Sequence, residues 1–290
     1  MDRIVLHSDA NSYYASVECL YTPSLRGKPM AVCGSVDDRH GIVLAKSEMA
    51  KKNGVKTGMA IWQAKQVCPK LEVVPPDYEL YMYFSRKLRH IYEDYTNQVD
   101  PFGLDECWLD ISQRGRDIWE GERIAQEIRQ RVKSELGITV SIGFSFNKVI
   151  AKLGSDYKKP DAVTVISEDN YRQLIWPLPV SELIYVGPRT TAKLIKLNIT
   201  TIGQLANADI SILEQKFGKN GVMGIWREEQ SEKLPVFVIL TREAAPGIAE
   251  IHDRMPLLLP EEACDEWLRR GADAGMVMQR SIDDLQYCAV

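Results

Sequence analysis

Apolar residues fall into short bounded runs, and their spacing switches between the two-residue period of strands and the three- to four-residue period of helices. Ile4-Val5-Leu6 is apolar at consecutive positions, as in a buried strand, with His7-Ser8-Asp9 at its carboxyl end. Residues 12–20 predict a helix that Pro23 closes. Residues 29–33 and 42–45 predict two more strands, followed by a basic helix through Lys51 and Lys52 that Gly54 stops. Asp77 can cap a longer helix whose apolar face is Leu80, Phe84, Leu88, Ile91 and Tyr95.

Residues 99–102 and 107–111 predict strands joined by the tight turn Gly103-Leu104-Asp105-Glu106. Asp117 begins another helix, with Ile124, Ile128, Val132 and Leu136 in one stripe. Val140, Ile142, Phe144 and Phe146 alternate with Ser141, Gly143 and Ser145, the pattern of a half-buried strand. This β-α-β-β-α-β order predicts an α+β fold, a sheet with helices on one face. From about residue 180 to 226 the pattern becomes all-helical, broken at Gly187-Pro188 and Ile202-Gly203.

Composition narrows the class. With 45% hydrophobic and 26% charged residues among 290, the chain is neither disordered nor a disulfide-rich mini-fold. No apolar run reaches the roughly 18 residues a membrane span needs, and the first residues lack the apolar stretch of a signal peptide. Six cysteines include no C-x-x-C pair and sit among apolar neighbours, so they read as reduced thiols of a cytoplasmic protein. The net charge of −4 divides unevenly: residues 228–290 hold 13 acidic and 6 basic side chains, leaving 27 acidic against 30 basic in the rest. An acidic tail on a slightly basic body places a boundary near residue 228 and permits a phosphate-rich partner.

Two acidic sites interrupt apolar strands: Asp9, and the pair Asp105-Glu106. A half-buried carboxylate at a strand end is costly unless it meets a cation. Three converging on adjacent strands would bind a divalent metal, their oxygen donors suiting magnesium. Two ions about 3.5–4 Å apart are the arrangement that activates a hydroxyl and stabilises a leaving phosphate. On spacing alone the alternative stands equal, with Asp9 capping the next helix and Asp105 making a turn.

The letters around these sites carry a resemblance. Asp9-Ala10-Asn11-Ser12-Tyr13-Tyr14-Ala15-Ser16-Val17-Glu18 closely resembles the first motif of the Y-family (translesion) DNA polymerases, and residues 103–110 resemble their second acidic motif. Residues 45–54, 141–148 and 152–160 match further motifs in the family's order, so the resemblance covers roughly residues 1–227. It implies a ferredoxin-like palm with small fingers and a helix-hairpin-helix thumb. The implied domains are palm and fingers at 1–179 (fingers about 24–76), thumb at 180–227, and an acidic tail at 228–290.

The resemblance also implies roles. Asp9, Asp105 and Glu106 become the metal-binding carboxylates, with the Ala10 carbonyl joining the coordination of two Mg2+ ions. Asp105 and Glu106 are the catalytic pair. Tyr14 becomes the aromatic that excludes a ribose 2′-OH, although without the motif its place on a helix would favour a core aromatic. Tyr13, Ser47, Lys51 and Lys159 join it around the nucleotide; composition alone would make the lysines solvated surface. One departure is Glu48, where many relatives have a tyrosine, so Ser47 is left as the hydroxyl of that helix. Val186, Gly187 and Arg189 fall in a segment resembling a helix-hairpin-helix, whose amides meet DNA phosphates without reading sequence. The implied partners are primer-template DNA and deoxynucleoside triphosphates; no clamp-binding peptide is recognisable near Val290.

The resemblance would continue past Trp226 into a further DNA-binding domain of about one hundred residues. Instead, Phe237-Val238-Ile239-Leu240-Thr241 and Ile251-His252-Asp253-Arg254-Met255-Pro256 resemble the end of the SRAP family, which crosslinks to abasic sites. His252 would match that family's active-site histidine, but position 2 holds Asp2 rather than the nucleophilic cysteine, so no such chemistry is expected. Two other readings remain beside the polymerase: a catalytically weak DNA-binding remnant, and a nucleotide cyclase, which also uses acidic residues on such a sheet.

Overall fold

The structure is a computed structural model; it describes residues 3–34, 41–114 and 117–217 in full, the backbone of 218–223, and four short strand segments beyond residue 226. The chain divides into two compact units, residues 1–171 and 172–290.

The first unit is built on a five-stranded sheet. Its strands are β1 (Val5–Ala10), β5 (Val99–Phe102), β6 (Glu106–Asp110), β7 (Val140–Ser145) and β8 (Val163–Val165), in the spatial order β5-β6-β1-β7-β8. β1 is the central strand, antiparallel to both neighbours, with Leu6 opposite Leu109 on one side and Phe144 on the other. The helices α1 (Tyr13–Tyr21), α4 (Tyr78–Glu93) and α5 (Ile118–Arg131) share the main core with this sheet. α4 buries Phe84, Leu88 and Ile91 at the expected spacing, and Asp77 caps it by accepting a hydrogen bond from Leu80 N at 3.0 Å. α5 ends at Arg131, earlier than its apolar stripe suggests. A wider π turn, Val132–Leu136, carries the stripe on to Gly137, which at φ +72° supplies the left-handed residue that ends it.

Two expectations about the sheet are corrected. β1 does not stop at Leu6 but continues through Ala10, every residue buried. Its polar members survive there because each has a partner, as Ser8 Oγ does in the Tyr92 hydroxyl at 2.8 Å. β7 is likewise buried on both faces rather than one, and the helices are not confined to one side of the sheet. Val140, Ile142 and Phe144 point into the main core. Opposite them, α6 (Lys148–Tyr157) lies directly on Gly143, whose Cα is 3.0 Å from where a Cβ on Gly154 would sit. Only a strand without a side chain at that point admits so close a helix.

A second sheet in the same unit runs β3-β2-β4, from β2 (Met30–Cys33), β3 (Val43–Lys46) and β4 (Glu72–Val74). With α2 (Glu48–Lys52) and α3 (Ile61–Val67) it forms a small core of Ala31, Cys33, Val43, Ala50, Val55, Ala64, Cys68 and Leu71. β2 serves two interiors, since Met30 and Val32 belong to the main core while Ala31 and Cys33 face the small one. That explains its unbroken apolar run.

The second unit is helical where it is fully described. After α7 (Tyr171–Ile175) come α8 (Pro188–Lys196), α9 (Ile202–Ala206) and α10 (Ile210–Met223). α9 opens with a capping box between Thr201 and Gln204. Beyond it, β9 (Arg227–Glu228) pairs with β10 (Pro235–Val236), and β11 (Thr241–Glu243) pairs antiparallel with β12 (Arg254–Pro256). The two tail segments singled out in the sequence therefore meet at Thr241 and Pro256, while His252 and residues 237–240 lie outside the described residues. Among the described residues no helix is long and apolar enough to cross a membrane. The described cysteines, 19, 33, 68 and 107, are all free thiols.

Candidate active site

Antiparallel pairing of β1 with β6 sets Asp9 directly opposite Glu106, so their side chains leave the same face of the sheet. It is the face α6 covers. Through the close approach at Gly143, α6 brings Lys152 over the pair, and Lys159 follows just beyond the helix end. The Lys152 ammonium lies 2.7 Å from Glu106 Oε2, 3.9 Å from Asp9 Oδ2 and 3.8 Å from Asp156 Oδ2. Lys159 Nζ lies 2.6 Å from Asp9 Oδ2 and 2.7 Å from Asp156 Oδ1. His7, fully buried, places Nε2 3.2 Å from Glu106 Oε2 and Nδ1 2.8 Å from Ser155 Oγ, its ring edge-on to Trp108.

The carboxylates differ in their hold on a proton. Burial pushes Asp9 up to about 7 although the Lys159 charge opposes it, and Glu106 nearby adds to the rise. Burial works against ionising Glu106 too, but the His7 hydrogen bond and the Lys152 charge hold it down to about 2. His7 is pushed down to about 4 by burial, so the imidazole facing Glu106 is neutral at pH 7. Asp9 does not play the capping part open to it in the sequence. The N-cap of α1 is Ser12, in the left-handed region at φ 48°, and the Asp9 carboxylate instead meets Lys159.

Asp105 sits in the hairpin turn between β5 and β6 that the sequence predicts, while Glu106, expected in the same turn, is already the first residue of β6. The turn is secured from two sides: Ala10 N donates to Asp105 O at 3.0 Å, and Arg89 Nη2 donates to Gly103 O at 3.0 Å. Gly103 takes the φ of +76° that this turn requires. Burial, followed by the Glu106 charge, pushes the Asp105 carboxyl up to about 6. Among the described residues, no three His, Cys, Asp or Glu side chains form a group that could hold a metal ion. The donor chemistry fits a hard cation nonetheless. Asp9 and Glu106 already lie around one cation, the Lys152 ammonium, which stands in for a metal's charge.

The other expected site residues are placed as follows. Tyr14 is half-buried, its ring stacked on Tyr81 at 4.2 Å and 9°, with Tyr78 edge-on at 6.1 Å. Tyr13 is buried and its hydroxyl donates to Tyr81 O at 2.6 Å, which makes it a support for that stack. Ser47 caps α2, accepting from Ala50 N and donating to Lys28 O. Glu48 accepts a hydrogen bond from Ser12 Oγ at 3.2 Å, tying α2 to the start of α1. Lys51 is exposed on α2, and its charge, after burial, helps lower the Lys46 ammonium.

In the second unit, Gly187 is the N-cap of α8 with open space where a Cβ would be, and Arg189 is exposed beside it. The Val186 amide is engaged, donating to Leu183 O at 3.0 Å. Sequence reasoning gave no part to Lys152, His7 or Arg89. For Lys152 a signal existed: Lys152, Asp156 and Lys159 follow helical spacing and make one charged face.

Residues 8–156, just over half the chain, match the model of the impB/mucB/samB family. The chain belongs to that family. Residues 168–199 match the helix-hairpin-helix motif described for the same group, and residues 213–289 match the SOS response associated peptidase family, SRAP. Relatives in the impB/mucB/samB group include DNA polymerase IV of Acetivibrio thermocellus, 57% identical over 221 residues, covering 76% of this chain and 55% of the relative. DNA polymerase IV 1 of Bacillus subtilis is 45% identical over 219 residues, covering 76% and 53%. The chain thus spans about half the length of these relatives. Among solved structures, DinB from Sulfolobus solfataricus is similar with a TM-score of 0.69 at 28% identity, over 74% of this chain and 63% of that one. An insertion ternary complex of Dbh DNA polymerase is similar at 0.70, with the same identity and coverage.

Proposed function

We propose that this chain is a template-directed DNA polymerase of the translesion type, which adds deoxynucleotides to a primer 3′-OH in DNA damage tolerance. The observation that carries the reading is the cross-strand pair of buried Asp9 and half-buried Glu106, compensated by lysines, with Asp105 next to it in the chain and close enough to act on the Tyr14 hydroxyl. In the reaction the primer 3′ oxygen bonds to the α-phosphorus, the bond to the β-phosphate oxygen breaks, and pyrophosphate leaves with that electron pair. Asp9, the Ala10 carbonyl, Asp105 and Glu106 would hold divalent metal, two Mg2+ ions by preference for oxygen ligands. Bound there, the metal supplies a lower hydroxyl pKa and neutralises triphosphate charge.

The chain's own residues do the positioning. Lys159 and Lys51 face the triphosphate, with Ser47 and Tyr13 fixing the elements around it. Tyr14 fills the space beside the sugar's C2′. In the thumb, the Gly187 and Arg189 amides are offered to the duplex backbone, with Val186 shaping the hairpin beneath them. Pro188, between them, has no N–H to give. Palm and fingers occupy residues 1–179 (fingers about 24–76), the thumb 180–227, and the acidic segment 228–290. The place of action is the cytoplasm, with primer-template DNA and deoxynucleoside triphosphates as partners.

Primer extension with Mg2+ is the deciding experiment. Template-dependent addition is expected; DNA binding without extension would leave only the DNA-binding remnant reading. Tyr14→Ala should admit ribonucleotides, raising their incorporation relative to deoxynucleotides about tenfold or more, since a face that filled the sugar's flank is gone. Unchanged discrimination in steady-state incorporation would place the gate elsewhere.

A further inference from the structure

Asp9, Glu106 and Asp156 crowd one place, paired among the described residues with the ammonium groups of Lys152 and Lys159, and those two are not equivalent. Lys159 is the more open, its side chain 28% exposed, and touches Asp9 and Asp156. Lys152 is deeper, at 15% exposure, and reaches into the gap between Asp9 and Glu106. It is also i,i+4 to Asp156 on its own helix, 3.8 Å away and nearer the solvent, so a second carboxylate stands ready for it. A side chain with four methylenes moves between two such partners by rotamer changes alone.

Resting on the polymerase reading, we propose that Lys152 is a place-holding cation. It keeps Asp9 and Glu106 together while no metal is bound, and gives way toward Asp156 when a divalent ion enters. A buried and a half-buried carboxylate on adjacent strands would otherwise repel each other or take up protons, and the site would lose its shape between turnovers. The same contact makes Lys152 a competitor of the metal. It is a positioning residue rather than a catalytic one, since it acts through the carboxylates.

The test reads metal binding without turnover. Mn2+ is titrated into the full chain, without nucleotide or DNA, and followed by electron paramagnetic resonance. Lys152→Met should bind Mn2+ about tenfold more tightly, the low end of what an opposite charge in contact with a carboxylate is worth. Lys152→Arg should return to the wild-type value. Lys148→Met, on the same helix but paired with Asp100, should change the affinity less than about twofold.

A second measurement uses the unaltered protein. Acylation of each lysine is followed by mass spectrometry, and Ca2+ should speed labelling of Lys152 several-fold while leaving Lys70 unchanged. Unchanged or weaker Mn2+ binding by Lys152→Met, or Lys152 labelling that Ca2+ slows or leaves alone, overturns the place-holder. The polymerase reading fails differently: wild-type protein would then bind no Mn2+, or bind it equally well with Asp9→Asn.

Discussion

Asp105→Ala and Glu106→Ala should each lower nucleotide addition at least about a thousandfold, yet shift stability in opposite directions. On the polymerase reading, catalysis suffers in both because each removes a carboxylate that would hold the divalent metal. Stability separates them because their environments differ. Asp105 is pushed up to about 6, first by burial and then by Glu106, so the folded chain holds its proton more tightly than the unfolded chain does. The stability linked to that proton is complete below about pH 4 and is lost as pH rises through 6. At pH 7, removing the carboxyl relieves a penalty on the order of 2–3 kcal/mol.

Glu106 has the opposite sign. Although burial opposes its charge, His7 and Lys152 bring it down to about 2, so its contribution is present above roughly pH 4.5 and disappears as pH falls toward 2. Glu106→Ala leaves the Lys152 ammonium, 15% exposed, without its nearest partner, at a cost of about 2 kcal/mol. Urea unfolding of both variants at pH 7 with chelator checks the signs. Two variants equal in stability would mean the pair shares one environment, contrary to the geometry.

Gly143→Ala should be among the most damaging single-methyl substitutions in the first unit. A Cβ there would lie 1.8 Å from Ala151 O, 2.4 Å from Ser155 N and 2.8 Å from Gly154 C. All three are backbone atoms of α6, which cannot turn aside as a side-chain tip can. The helix must lift bodily, at about 3 kcal/mol or more. In a chain of this size that lowers Tm by roughly 10 °C. Whatever still folds would carry Lys152 and Ser155 away from Glu106 and His7, so on the polymerase reading DNA synthesis should fall further than stability alone requires. Gly187→Ala is the contrast, with nothing within 4 Å of its Cβ; it should cost under about 1 kcal/mol. A Gly143→Ala protein melting within a degree or two of wild type would show that α6 does not rest on the strand.

Much of this was legible in the chain because its signals are local. Asp77 before an apolar stripe gave the start of α4, and the glycine turn at 103 gave the β5–β6 hairpin. What the sequence hid depends on pairing between distant residues. Serines and a glycine alternating with apolar residues in β7 look like a solvent-facing edge, and only the docking of α6 turns that face inward. Lys152 carried only the signal of a charged helix face with Asp156 and Lys159, which by itself does not distinguish it from a solvated lysine. Its meaning comes from Glu106, 46 residues earlier in the chain. The turn around Asp105 was legible, but not that β6 begins one residue earlier than the apolar run, at Glu106, which sets that side chain opposite Asp9.

The two-sided strand β2 has a mechanical consequence. Because Met30 and Val32 anchor in one interior while Ala31 and Cys33 anchor in the other, neither sheet can loosen without exposing apolar surface of the same four residues. The two sheets should therefore open as one cooperative unit. Amides of Ala31 and Val32 should exchange with solvent deuterium at the same slow rate as those of Leu6 and Leu109, rather than at the faster rate of a small appendage. On the polymerase reading, a fingers region welded in this way would admit different templates by the choice of side chains along its rim, not by swinging on a hinge.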